Sequence, residues 1–168
     1  MTGADERNGS HRGGDGPPWW RVEVDGAAHR RWRRRAGAGR AQVRVLHADR
    51  MPTLSRLYAQ FALGWDFPDY FGQNASALED CLTDLAWAPA PGYVCVIDRA
   101  EALLIDDAPE ALAMLVDLLT RVGEYWGTPI MLGEQWDRPA VPFHTVLLAS
   151  SQERARDLHE RLDVAGCH

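Results

Sequence analysis

The residues of this chain best placed to do chemistry are carboxylates. Between Arg56 and Arg99 there is no Lys, Arg or His, while Asp66, Asp69, Glu79, Asp80, Asp84 and Asp98 all fall in that stretch. Acidic side chains in such numbers can bind cations, hold a metal or work as acid/base pairs. Catalytic carboxylates need burial or like-charge crowding to shift their protonation. Metal ligation needs a donor set of suitable type and spacing, and His47 and His144 fit no such motif. What remains is a single-sign field that attracts a cationic partner, or simply a solvated face. No enzymatic role, cofactor or metal is expected.

Position on a helix separates these carboxylates. Asn74 is a suitable N-cap, and Leu78, Cys81, Leu82 and Leu85 follow at helical spacing. At about 100° per residue the apolar residues lie within about 60° of Leu78, while Ser76, Asp80 and Thr83 fall on the far side, at around 140–200°. Glu79 and Asp84 flank them. Asp80 is therefore expected near the middle of a solvent face whose opposite stripe anchors the helix.

The flanking elements follow from periodicity. Val43–Leu46, Tyr93–Ile97 and Phe143–Ala149 read as strands, the second a nearly continuous apolar run typical of burial on both faces. Helices are expected from Thr53 to Trp65, along 75–85, in a short piece around Ala100–Leu104, from about Pro109 to Trp126, and over Gln152–Leu162. Pro68 ends the first, because the residue before proline avoids helical geometry. Strands separated by helices pair in parallel. The expected fold is thus α/β, a small three-stranded parallel sheet packed with helices, with an extra N-terminal segment and a C-terminal helix. Residues 127–142 form a proline-punctuated connection with room for an extra strand at Pro129–Leu132. The seven tryptophans (Trp19, Trp20, Trp32, Trp65, Trp87, Trp126 and Trp136) read mostly as core or staple residues, and Trp19 and Trp20 could instead dock onto the domain.

The domain expected at 41–150 is preceded by a disordered leader, 1–18, rich in Gly, Asp, Arg and Ser, and by an accessory segment, 19–40. Residues 19–25 suggest a short strand or edge hairpin. The basic run His29–Arg40 reads as a mobile surface segment, with Gly37 and Gly39 breaking any helix; nucleic-acid contact is the lesser reading of its arginines. All 18 basic residues are arginine, and 11 of them lie in the first 50 positions, which carry 6 acidic residues; the remainder is strongly acidic. Residues 151–168 hold the last helix and a tail. No apolar run reaches the roughly 18 residues of a membrane span. The polar start lacks the apolar core of a signal peptide, and Cys81, Cys95 and Cys167 read as free thiols of a reducing compartment, so a cytoplasmic protein is expected.

Asp66 to Leu85 reads DFPDYFGQNASALEDCLTDL. Pro68, Asp69, Tyr70, Phe71, Gly72, Asn74, Ala77, Leu78, Asp80, Cys81 and Leu82 together resemble the signature of the barstar family. It joins turn residues, core residues and a surface acid in one register. The strand–helix order extends the resemblance over 41–150, leaving out both ends and the 127–142 connection. It implies an intracellular inhibitor of a basic ribonuclease, acting as a monomer through protein–protein contact and not through nucleic acid. Asp80 then matches the family's principal aspartate, which enters the cationic active site, and Tyr70 an aromatic that packs against it. Gly72, Asn74, Ser76, Glu79, Thr83 and Asp84 complete the expected partner-binding set. Ser76 and Glu79 depart from the best-known member, which carries an aspartate and a tryptophan there. Two functions therefore stand side by side: inhibition of a differently shaped nuclease, and a barstar-fold module that binds another basic partner.

Overall fold

The computed structural model describes residues 18–39 and 41–167. The leader expected over 1–18 falls, apart from Pro18, outside them.

Four strands, β1 (Trp20–Val24), β2 (Gln42–His47), β3 (Tyr93–Asp98) and β4 (Phe143–Ala149), form one all-parallel sheet in the order β1-β4-β3-β2. The expected count of three is corrected to four. Of the two forms expected over 19–25, the short strand is the one found: it is an edge strand parallel to β4, with Trp20 opposite Thr145 and Val24 opposite Ala149. Chain order obscured this, because β1 and β2 occupy opposite edges of the sheet and a crossover lies between them.

That crossover is the basic run. Instead of a mobile segment it forms α1 (Ala27–Gly37). Arginine and alanine are both strong helix formers, and the glycines terminate the helix where they were expected to prevent it: α1 stops at Gly37, and Gly39 takes a left-handed φ of +66°. Ala28 and Trp32, one turn apart, are buried against Val94, Val96, Val146 and Leu148. Arg21 and Arg31 lie over the Trp32 ring at 5.0 and 5.2 Å, and Glu23 accepts from both guanidinium groups.

Alternate residues of a strand face opposite sides of the sheet. Tyr93, Cys95, Ile97, Phe143 and Leu147 belong to the larger core, shared with α2 (Leu54–Gly64), α3 (Ala75–Asp84), α4 (Pro109–Gly127) and α5 (Gln152–Ala165). Among the described residues α1 covers the other side, through Ala28 and Trp32, so the sheet lies between α1 and α3. Short 3-10 turns at Ala48–Arg50 and Ala100–Ala102 follow β2 and β3. The extra strand expected at 129–132 is a single antiparallel bridge, Ile130 to Arg138.

Trp19 docks on the domain: its ring lies 5.6 Å from that of His144, and its carbonyl accepts from the Thr145 N–H. A Cβ on Gly123 or Gly127 would come within 2.5 Å and 2.3 Å of the Trp19 side chain, so α4 carries glycines where that ring crosses it.

Candidate functional site

Helix α3 is fixed at both ends and along one side. The Asn74 side chain accepts from Ala77 N–H at 2.9 Å, and its amide donates to the Gly72 carbonyl at 3.1 Å. A Cβ on Gly72 would stand 3.1 Å from that amide, so glycine leaves the cap its room. The loop before the cap is held by packed aromatics: Phe71 meets Phe67 and Tyr58 edge-on, and Phe67 meets Trp87. At the C-terminus Leu85 adopts a left-handed φ of +43° while fully buried, and its N–H donates to Cys81. A non-glycine residue there costs about 1–3 kcal/mol of backbone strain, held by the burial of its side chain. The carbonyls of a helix's last turn lack intrahelical partners; one of these, Leu82 O, accepts the Trp126 indole N–H at 2.8 Å. Leu78, Cys81 and Leu82 are buried.

This anchoring leaves Ser76, Asp80 and Asp84 exposed. Glu79 differs from the expected unneutralised acid. It accepts from Arg121 Nε and Nη2 of α4, at 2.9 and 2.7 Å. That fork of charge-assisted bonds holds the Glu79 carboxyl below the usual carboxylate range, burial opposing it, and raises Arg121. Of the other acids in the stretch, Asp66 pairs with Arg44 at 3.1 Å and Asp98 contacts His47 at 3.2 Å. Among the described residues Asp69, Asp80 and Asp84 have no ion-pair partner. The Thr83 hydroxyl donates back to the helix, toward the Glu79 and Asp80 carbonyls. Tyr70 stands 73 % exposed on the loop before α3.

Two carboxylates, Asp80 and Asp84, therefore sit on a rigid helix without an ion-pair partner among the described residues. The same helix has no acidic residue in its first turn and no basic one in its last, so Asp84 faces the negative end of the helix dipole, an arrangement that costs stability. Buried Cys81 has its thiol pushed up by burial and by Asp80 and Asp84, and burial pushes Cys95 to about 12, so neither offers a thiolate. Among the described residues no group of three or more His, Cys, Asp or Glu could hold a metal ion.

A recess of about 430 Å³ adjoins this face. Asp80, Thr83 and Asp84 form one wall; Tyr125, Trp126, Ile130, Trp136 and Arg138 form the other. None of these second-wall residues, nor Arg121, belongs to the partner-binding set expected from the sequence. Trp136, grouped there with core residues, is 57 % exposed. The available signal was the unusual apolar content of a proline-punctuated connection, Ile130-Met131-Leu132 and then Trp136.

No helix of the described residues is long and apolar enough to cross a membrane. No curated protein matches the chain. A family model described as Barstar (barnase inhibitor) matches residues 41–148. This match spans well over half of the sequence and includes the 127–142 connection that the motif-based resemblance left out. On that match, with a parallel α/β architecture around the signature helix, the chain belongs to the barstar family.

Proposed function

We propose that the protein inhibits a basic ribonuclease of the barnase class by placing α3, with Asp80 foremost, in the enzyme's cationic cleft. The observation that carries this reading is the pair of exposed carboxylates, Asp80 and Asp84, without cation partners on a helix fixed by its caps, its core stripe and the Trp126–Leu82 bond. A ribonuclease must bind a phosphodiester and concentrates Arg, Lys and His where it does so. A carboxylate held on a rigid helix occupies the place of a phosphate and is stabilised there by charge-assisted hydrogen bonds. Because the helix is ordered on folding, little ordering cost falls on binding. The opposed fields of inhibitor and enzyme speed the encounter.

On this reading the chain works by occupation and catalyses nothing. It acts as a monomer, in a cytoplasm that keeps its thiols reduced. A second reading, a module for some other basic partner, is favoured by one observation: Arg121 already occupies Glu79, beside the principal aspartate.

The test is titration of barnase activity on RNA with the wild type, Asp80→Ala and Asp84→Ala. Stoichiometric inhibition by wild type, weakened far more by Asp80→Ala than by Asp84→Ala, supports the proposal. Wild type without inhibition, or equal and negligible effects of the two substitutions, overturns it.

A further inference from the structure

We infer that the α4–β4 connection, residues 128–142, is a second arm of the partner-binding surface, one that receives an apolar ridge beside the partner's cationic cleft. The inference rests on the function proposed above and adds to it a surface outside the acidic helix.

The first observation is continuity. The recess lined by Asp80, Thr83 and Asp84 has Tyr125, Trp126, Ile130, Trp136 and Arg138 as its opposite wall, the Arg138 guanidinium being engaged with backbone carbonyls and the Tyr125 and Trp126 rings. A partner that fills the recess to reach these carboxylates meets those side chains as well.

The second is composition. Met131 is 81 % exposed, Leu132 73 %, Trp136 57 % and Tyr125 44 %. Scattered exposed apolar residues are ordinary, whereas several grouped beside a polar site mark an interaction surface. Trp, Tyr and Met are among the types enriched at protein interfaces.

The third is that the connection is built to present these residues. Ile130 and Arg138 exchange backbone hydrogen bonds at 2.9 and 3.0 Å. The Asp137 carboxylate accepts the Leu132 and Gly133 N–H groups, both at 2.8 Å, closing the tip. Arg138 donates to the carbonyls of Tyr125, Trp126, Thr128 and Pro139 and lies over the Tyr125 and Trp126 rings at 4.8 and 4.6 Å. Its hydrogen bonds are spent on holding the connection to α4. A tip ordered in advance binds without a further ordering cost.

Together the two walls define the occupant. It carries cations for Asp80 and Asp84 and, next to them, an apolar ridge that enters the recess against Tyr125, Ile130 and Trp136 and extends over the exposed Met131 and Leu132 at the tip of the connection. A purely polyanion-like mimic of RNA would not present the second wall, so the connection selects among basic nucleases by shape.

Barnase is the probe, with wild type, Trp136→Ala, the double variant Met131→Ser/Leu132→Ser, Asp80→Ala and a remote control, Val164→Ser on α5. The dissociation constant and the salt dependence of the association rate are measured. Trp136→Ala and the double variant are expected to weaken binding about tenfold or more, as truncated interface anchors do, with the salt dependence kept. Asp80→Ala is expected to weaken binding and flatten the salt dependence, and Val164→Ser to do neither. If Asp80→Ala weakens binding while both connection variants stay within about twofold of wild type, the second arm is refuted and the helix reading survives. If wild type does not bind, or Asp80→Ala is without effect, both fall. Oxidative footprinting of the wild-type complex is the check independent of variant folding: Met131 and Trp136 become protected when barnase binds, and unchanged labelling overturns the inference.

Discussion

Arg121 makes the proposed electrostatics testable in an unusual direction, because removing it weakens the fold slightly and improves the encounter. Its guanidinium neutralises Glu79 through two hydrogen bonds, and Asp117 and Glu124 lie within its electrostatic reach. Side-chain exposures of 51 % and 31 % leave the pair well screened, so Arg121→Gln is expected to cost only about 0.5–1 kcal/mol of stability. For association the sign reverses. A partner cation docking about 10 Å from this guanidinium in water is repelled by about 0.4 kcal/mol, a factor of about two in rate; two such cations give about fourfold. Stopped-flow association with barnase at low ionic strength should therefore be about two- to fourfold faster for Arg121→Gln. Most of that gain should vanish near 0.15 M salt, where the screening length is about 8 Å. Unchanged or slower association at low salt would refute the idea that α3 is steered by its net negative field.

Other consequences follow from the same clamp. Trp126→Phe removes the donor to Leu82 O and should lower stability by about 1–3 kcal/mol, read as a lower urea midpoint with an unchanged slope. Asp84→Asn relieves an acid at a helix C-terminus and should raise stability by about 0.3–1 kcal/mol while slowing association with a basic nuclease. The pH dependence of the Glu79–Arg121 pair has a definite sign. Glu79 is depressed in the folded state, so its stabilisation is complete above the unfolded glutamate value of about 4.3 and is lost as pH falls through the lower folded value. The stability gap between wild type and Arg121→Gln should therefore be present at pH 7 and close in acid; a gap that persists at low pH would contradict the pairing.

What was legible in the sequence was what short-range pattern controls. The stripe Leu78, Cys81, Leu82 and Leu85 places Asp80 on the open face by geometry alone, and Asn74 announces the cap. Buried apolar runs mark β3 and β4. The Glu79–Arg121 pair was not legible, because its members lie on different helices 42 residues apart and only packing of α3 on α4 brings them together. Helix α1 was misread because glycine is an ambiguous mark: the same residue that ends a helix also suggests a loop, and Trp32 gave a single apolar anchor amid arginines. The 128–142 connection has no period to read. Its conformation comes from Arg138 and Asp137 satisfying backbone groups, which composition does not reveal.

The pairing of β1 with β4 has a consequence for how the domain is to be handled. Every residue of β4 is buried, and the family match begins at residue 41, after β1 has ended. A chain cut at that boundary would keep the signature helix yet expose the hydrogen-bonding edge of residues 145–149, a buried run that becomes a template for strand addition by other copies. It would also empty the space that Gly123 and Gly127 leave for Trp19. In this chain β1 guards that edge from before the family domain, and a shortened chain that lacks it is expected to aggregate where one that begins ahead of Trp19 does not.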